Sequence, residues 1–261
     1  DYTGNITITD TLTVAQANTI EAYTTGAVTA TISTTDIADL DDLTGTGNAY
    51  TITVGTADVT AAALKTVNDA TTVNVTATAV TNITGSRTDL ASVYGGGITG
   101  LGNETITVSD ANITSGQANT IDAYTTGVIT ATISTTDIGD LDDLTGTGNA
   151  YTITVATAQV TAAALNTVND ATTVNVTATA VTTITGTAAQ LATTYGGGIT
   201  GLGDEAVTIS DTTIDAALLI TLDNYTTGLI DASNITTLIG SDADKATVRA
   251  SSGITGLPGG G

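Results

Sequence analysis

The sequence contains no cysteine, histidine, methionine, tryptophan or phenylalanine, one proline, and four basic residues against 26 acidic ones. Without cysteine there are no disulfides, thiolate metal sites or cysteine nucleophiles, a usage that fits an exported bacterial protein. Without histidine or cysteine the common general bases, the nucleophilic triads and most transition-metal sites are gone as well. The formal charge of −22 disfavours nucleic acid and anionic membranes, which both demand clustered Lys or Arg. It calls instead for counterions, and divalent cations supply them most effectively. No apolar run approaches the ~18 residues of a membrane span, and no basic stretch precedes a hydrophobic one at the amino end. The chain opens at Asp1 in mid-pattern and reads as a mature segment or a piece of something longer.

What is present is repetition. The stretch from Asp39 to Val54 returns letter for letter from Asp140 to Val155, an offset of 145 − 44 = 101 residues between Thr44 and Thr145. Tyr23 to Val54 and Tyr124 to Val155 differ only at Ala27/Val128, Val28/Ile129 and Ala38/Gly139. A third, diverged copy starts near Gly201. About a quarter of the residues are threonine, which favours strands, and 41% are hydrophobic, enough for a continuous core of Val, Ile, Leu and Ala. The expected architecture is a single repeat solenoid over 1–257, with long repeats at about 1–100 and 101–201, a partial one at 202–257, and a flexible tail at 258–261 where Pro258 replaces Gly102 and Gly203.

Alternation places Ile6 and Ile8, Val28 and Ala30, Ile52 and Val54, Val73 and Val75, and Ile106 and Val108 inward, with Ile230 and Ala232 as late counterparts. Thr29/Thr31, Thr51/Thr53, Thr130/Thr132 and Thr152/Thr154 then form the cleanest rungs of an outer threonine ladder, interrupted at Asn74, Asn175 and Asp231. Between strands, Val59, Ala63, Leu64 and Val67 fall on one side of a helix of about two turns. A second helical slot starts at the capping boxes Ser86–Asp89 and Thr187–Gln190, with left-handed glycine caps expected at Gly95 to Gly97 and Gly196 to Gly198. The fold class is a β-rich α/β repeat solenoid of stacked parallel strands with short connecting helices. A right-handed parallel β-helix with helical inserts is the alternative.

Two features suggest chemistry. Asp36, Asp39, Asp41 and Asp42, repeated as Asp137, Asp140, Asp142 and Asp143, are the densest carboxylate clusters and could supply oxygens to calcium; a solvated acidic helix start explains them too. GLGNETIT at Gly100 to Thr107 resembles the calcium-binding nonapeptide of repeats-in-toxin proteins, with Glu104 where aspartate is usual. Its copies lie 101 residues apart, so ions cannot be shared between neighbours, and a tight glycine turn into a strand is the other reading. Seven Asn-x-Thr sequons are expected by chance in a chain this rich in threonine and receive no role.

The phrases GITGLGNETITVSD, TGLGDEAVTISD and NITTLIGSDADKATV resemble repeats in very large, acidic, threonine-rich surface proteins of cyanobacteria, of the haemolysin-type calcium-binding kind. The resemblance implies an extracellular or cell-surface location and an adhesive, motile or sheath-like role. The repeats themselves argue against an enzyme, because an active site needs one asymmetric constellation whereas duplication multiplies a surface. Lys65, Arg87, Lys245 and Arg249 moreover sit at non-equivalent places. The expected function is a rigid spacer or self-assembling fibre or adhesin segment, joined end to end with copies of itself and stabilised by calcium. An ice- or carbohydrate-binding face on the threonine ladder is the rival.

Overall fold

The computed structural model describes residues 2–259, and contacts group them into two compact units, 2–111 with 120–131 and 112–119 with 132–259. In the first unit the order is β1 (Ile6–Leu12), α1 (Val14–Glu21), β2 (Val28–Ile32), α2 (Ile37–Leu40), β3 (Ala49–Thr51), β4 (Asp58–Thr60), α3 (Ala61–Asp69), β5 (Val75–Thr76), β6 (Asn82–Gly85), α4 (Arg87–Tyr94), β7 (Ile98–Thr99) and β8 (Thr105–Val108). Next, α5 (Ser115–Asp122) and β9 (Ile129–Thr132) give residues to both units. The second unit continues with α6 (Ile138–Leu141), β10 (Ala150–Thr152), β11 (Gln159–Thr161), α7 (Ala162–Asp170), β12 (Val176–Thr177), β13 (Thr183–Gly186), α8 (Ala188–Gly196) and β14 (Ile199–Thr200). It ends with β15 (Ala206–Ile209), β16 (Thr213–Asp215), α9 (Ala216–Asp223), β17 (Ile230–Asp231), β18 (Thr237–Ile239), α10 (Asp242–Ala250) and β19 (Ile254–Thr255).

Strands therefore alternate with short helices, and strands one segment apart pair in parallel. In the first unit β1, β2 and β3 form one sheet, β4, β6, β8 and β9 follow one another in a second, and β5 pairs β7. In the second unit β11, β13, β15, β17 and β19 form the main sheet, beside the pairs β12–β14 and β16–β18. Parallel neighbours need a crossover, and the short helices provide many of these connections. Partners lie 50 − 30 = 20 residues apart at Ala30 and Tyr50 and 82 − 58 = 24 apart at Asp58 and Asn82, so each segment is about one strand and one helix long.

The helices form because each has a hydroxyl or carboxylate at its start. Thr60 Oγ1 accepts the Ala63 amide at 3.1 Å, Thr161 does the same for Ala164, and Asp215 accepts the Ala217 amide at 2.9 Å. Eight or nine residues are marginal as an isolated helix, so these elements depend on the face they bury. Leu64 and Val67, Leu165 and Val168, and Leu219 and Leu222 fill that face, each at most 1% exposed.

Segments are tied together by threonine doublets. The hydroxyls of Thr24, Thr71, Thr125, Thr172 and Thr226 donate to the carbonyls of Gly4, Tyr50, Glu104, Tyr151 and Glu205 one segment earlier, at 2.6–2.7 Å. Each accepts in turn the amide two residues on, from Gly26, Val73, Gly127, Val174 and Gly228. The following threonines, Thr72, Thr126, Thr173 and Thr227, also donate to the segment before them. The first members are buried, and a buried hydroxyl is tolerated because it donates and accepts at once.

Most of the expected alternation holds: Val28, Ala30, Ile52, Val54, Val75, Ile106 and Val108 are buried. Ile6 and Ile8, on the edge strand β1, are only half-buried. Val73 is a correction. It is 39% exposed, because its amide closes the hydroxyl turn on Thr71 and the strand starts only at Val75. Val59 lies in β4 rather than on the helix; Thr60 starts α3, and Ala61 takes the inward place expected of Ala63. The glycine caps are also corrected. Gly95 and Gly197 have φ of −88°, and the left-handed glycines that follow these helices are Gly100, Gly102, Gly201 and Gly203, in the turns leading to β8 and β15. Thr187 and Gln190 make the complete capping box, as do Thr13 and Gln16. At Ser86, the shorter Asp89 carboxylate bonds the serine hydroxyl rather than reaching its backbone amide. Of the tail expected over 258–261, Gly260 and Gly261 lie outside the described residues, as does Asp1; Pro258 accepts a hydrogen bond from Arg249 Nη1 at 2.9 Å.

Candidate functional site

Asp36, Asp39 and Asp137, of the carboxylates singled out in the sequence, bond to nearby backbone and threonine groups. Asp36 starts α2: its Oδ1 accepts the Ala38 amide at 3.1 Å and the Thr56 hydroxyl at 3.4 Å. Asp137 does the same for Gly139 and Thr157 at the head of α6. Asp39 accepts from the Thr34 hydroxyl at 3.0 Å, and Asp140 is its equivalent in the first turn of α6. Asp41 and Asp142 are the closing residues of α2 and α6. The backbone carbonyls of Asp42 and Asp143 are held by Asn18 and Asn119, which also accept the amides of Thr44 and Thr145.

Asp39 and Asp42 face one groove, of 390 Å3, with Thr13, Asn18 and Thr34, whereas Asp41 faces another. In the first cluster Asp41 thus lies apart from the pair Asp39 and Asp42. Among the described residues no three acidic side chains form a group that could hold a metal ion.

The second groove is duplicated. In the first unit Ile37, Asp41, Val59, Thr60, Asn82 and Thr84 line a depression of 490 Å3. In the second, Ile138, Asp142, Val160, Thr161, Thr183 and Thr185 line one of 340 Å3. Both border the threonine columns of the sheets. Thr60, Thr84, Thr107 and Thr130 stand in register on successive strands, all exposed. In the second unit the column reads Thr161, Thr185, Thr208, Asp231 and Thr255. The expected interruption at Asp231 therefore falls inside a rung column, where its Oδ1 accepts the Ser233 amide at 2.9 Å.

A third arrangement was not foreseen. Only three of the acidic residues are glutamate, and two of them, Glu104 and Glu205, are 0% and 1% exposed. The Glu104 carboxylate accepts the Tyr94 hydroxyl at 2.9 Å and the Gly102 amide at 2.9 Å. Glu205 accepts the Tyr195 hydroxyl and the amides of Gly203 and Asp204 at 2.8 and 3.2 Å. The left-handed Gly102 and Gly203, with φ of 132° and 137°, turn the chain so that an amide points back at the carboxylate two residues on.

Each tyrosine then stacks on another from the next segment, Tyr94 on Tyr124 at 4.8 Å and Tyr195 on Tyr225 at 5.2 Å between ring centres. Burial, and then the glutamate that accepts its proton, raises the phenol pKa of Tyr94 and of Tyr195 well above the usual tyrosine range. The signal in the sequence was the ten-residue spacing of Tyr94 to Glu104 and Tyr195 to Glu205, preserved across the 101-residue offset.

This arrangement is a structural lock rather than a reactive centre. A tyrosine held protonated between a carboxylate and another ring is neither nucleophile nor base. Comparison of the chain with protein-family models, curated proteins and solved structures gives no match.

Proposed function

We propose that the chain is an extracellular or cell-surface structural module, a spacer or fibre segment whose strand–helix segments wind as successive coils of an α/β solenoid and associate with further copies of itself. The observation that carries this reading is that about every second junction between segments is made by the same chemistry, a threonine doublet donating to the carbonyls one segment back. The stacked Tyr–Glu locks recur at the same offset. Repetition of interior contacts supports a load-carrying or spacing role, since it multiplies one interface without building a unique pocket. Calcium enters as a counterion for the acidic surface. Sedimentation and electron microscopy at rising protein concentration test the proposal. Concentration-dependent assemblies are expected, and a population that stays monomeric with and without calcium would sink it.

The in-register column Thr60, Thr84, Thr107 and Thr130 favours a second reading, a face for ice or carbohydrate. Rungs ~4.8 Å apart present hydroxyls and methyls at regular spacing. Ice growth unaltered at high protein concentration, together with no retention on polysaccharide, would leave the column as solvated surface.

A further inference from the structure

The internal pairings of the chain contain the template for a contact with a second copy. Among the described residues β1 and β18 are edge strands at opposite ends of the chain. β1 ends its sheet, and β18 pairs only β16. Their equivalents elsewhere pair with each other.

The equivalence rests on register. β18 stands to β16 as β13 stands to β11, with Thr237 opposite Thr213 where Thr183 is opposite Gln159, and Leu238 opposite Ile214 where Ile184 is opposite Val160. Both strands run through a glycine into a hydroxyl cap, Gly240–Ser241 into α10 and Gly186–Thr187 into α8. At the other edge, β1 stands to β2 as β15 stands to β17 and β8 to β9: Ile6 faces Val28, Val207 faces Ile230 and Ile106 faces Ile129. Within the chain β13 pairs β15 and β6 pairs β8, four residues each in the same register.

We infer that β18 of one copy pairs in parallel with β1 of a second copy, setting Thr237 against the second copy's Asn5, Leu238 against its Ile6, Ile239 against its Thr7 and Gly240 against its Ile8. This rests on the self-associating module proposed above and names its interface. Three further observations support it. First, the core positions that would meet are incomplete: Leu238, Ile6 and Ile8 are half-buried, whereas Ile83, Ile106, Ile184 and Val207 are at most 2% exposed. Second, the outward amides are available. Ile6 donates to Ala27 within the sheet, so by alternation the amide of Thr7 points to the open edge.

Third, the ring stack has two open halves. Tyr23 follows α1 as Tyr225 follows α9, its amide bonded to Ile20 as that of Tyr225 is to Leu222, yet it is 68% exposed. Counted from the helix start, Arg249 in α10 holds the place of Tyr195 in α8. Its guanidinium would lie over the second copy's Tyr23 as Tyr195 lies over Tyr225, a cation–π contact in place of a ring stack. Such a contact is heterologous: it leaves one β1 edge and one β18 edge free, so it can be repeated. With −22 on each copy it strengthens as salt rises.

The chain has no cysteine, so paired substitutions report the register cleanly. Thr7→Cys with Ile239→Cys places two thiols on directly opposed residues, ~4.8 Å apart between strands and inside the disulfide range. Mild oxidation at high salt is expected to give covalent dimers and longer ladders on non-reducing gels. Thr7→Cys with Thr237→Cys, two residues out of register, should give few. Thr7→Pro removes one outward amide while leaving the β2-facing bonds, and should weaken association measured by sedimentation at least about tenfold with an unchanged circular dichroism spectrum. Association that persists in Thr7→Pro, with equal crosslinking of both cysteine pairs, would overturn this register and leave the self-associating module standing. A wild type that remains monomeric would overturn both.

Discussion

Replacing Tyr94 and Tyr195 together by phenylalanine should make the chain less stable at neutral pH and comparatively more resistant to alkali. At pH 7 each substitution deletes a hydrogen bond to a buried carboxylate and keeps the stacked ring. Bonds to charged groups are worth ~1.5–3 kcal/mol each, so the double variant should lose about 3–6 kcal/mol. The alkaline effect has the opposite sign. Both phenols have a folded pKa above the ordinary value of 10.0, so the stabilisation they give is complete below that value and is lost as pH rises past it. The unfolded chain ionises its tyrosines there and the folded one does not. At pH 11 the linkage amounts to about 1.4 kcal/mol per tyrosine, so the gap between wild type and variant should narrow by about 3 kcal/mol. Urea unfolding followed by circular dichroism at pH 7, 9, 10 and about 11 measures it, with tyrosinate absorbance as an independent record of ionisation. A gap of the same size across that range, or Tyr94 and Tyr195 ionising in the folded chain near the ordinary value, would refute the reasoning.

Gly127→Ala and Gly228→Ala should each cost several kcal/mol, because an added Cβ would lie 2.2 Å from the carbonyl oxygen of Glu104 or Glu205; Gly116→Ala, with nothing within 4 Å, is the matched control in thermal melts. Thr125→Val removes a buried hydroxyl that bonds the Glu104 carbonyl and the Gly127 amide and should cost about 1–3 kcal/mol, whereas Thr107→Val on the exposed face should fall within about 0.5 kcal/mol. Calcium and magnesium should raise the melting temperature to a similar extent, as screening of the acidic surface. A calcium-specific rise abolished by Asp41→Asn with Asp142→Asn would instead place a bound ion at the clusters.

The parts of the fold legible in the sequence were those carried by local pattern. Ile52 and Val54 alternate inward, Leu64 and Val67 sit one turn apart, and the 101-residue copy reproduces both. The parts that were not legible depend on contacts between segments. A glycine triplet after a helix reads as a left-handed cap, but Gly96 and Gly97 sit instead where a Cβ would be crowded, 2.8 Å from the Ser92 carbonyl oxygen at Gly96 and 3.3 Å from the Asn68 and Asn74 side chains at Gly97. Val73 follows strand chemistry in one dimension, but the Thr71 hydroxyl captures its amide. Glu104 read as the acidic position of a surface turn. Its burial depends on Tyr94, ten residues earlier at the end of α4, which no periodicity within the turn reveals. The aspartate clusters were legible as acidic helix starts; that Asp41 lines a different groove from Asp39 and Asp42 followed only from the course of the chain around Asn18.

The threonine doublets reach only one segment: Thr24 bonds Gly4, Thr71 bonds Tyr50 and Thr125 bonds Glu104, 20 or 21 residues back. The doublets themselves alternate in spacing, 71 − 24 = 47 residues and then 125 − 71 = 54, which sum to the full 101. Excising residues 25–125 would join Thr24 to Thr126 and recreate the same Tyr-Thr-Thr-Gly junction, with each doublet again meeting a predecessor of the kind it had. Gene segments encoding near-identical stretches are prone to unequal crossing-over. In this chain such an exchange would alter length in whole steps while preserving the doublet contacts, so the number of segments can be inherited as a variable quantity while the contact that joins them is inherited as a constant.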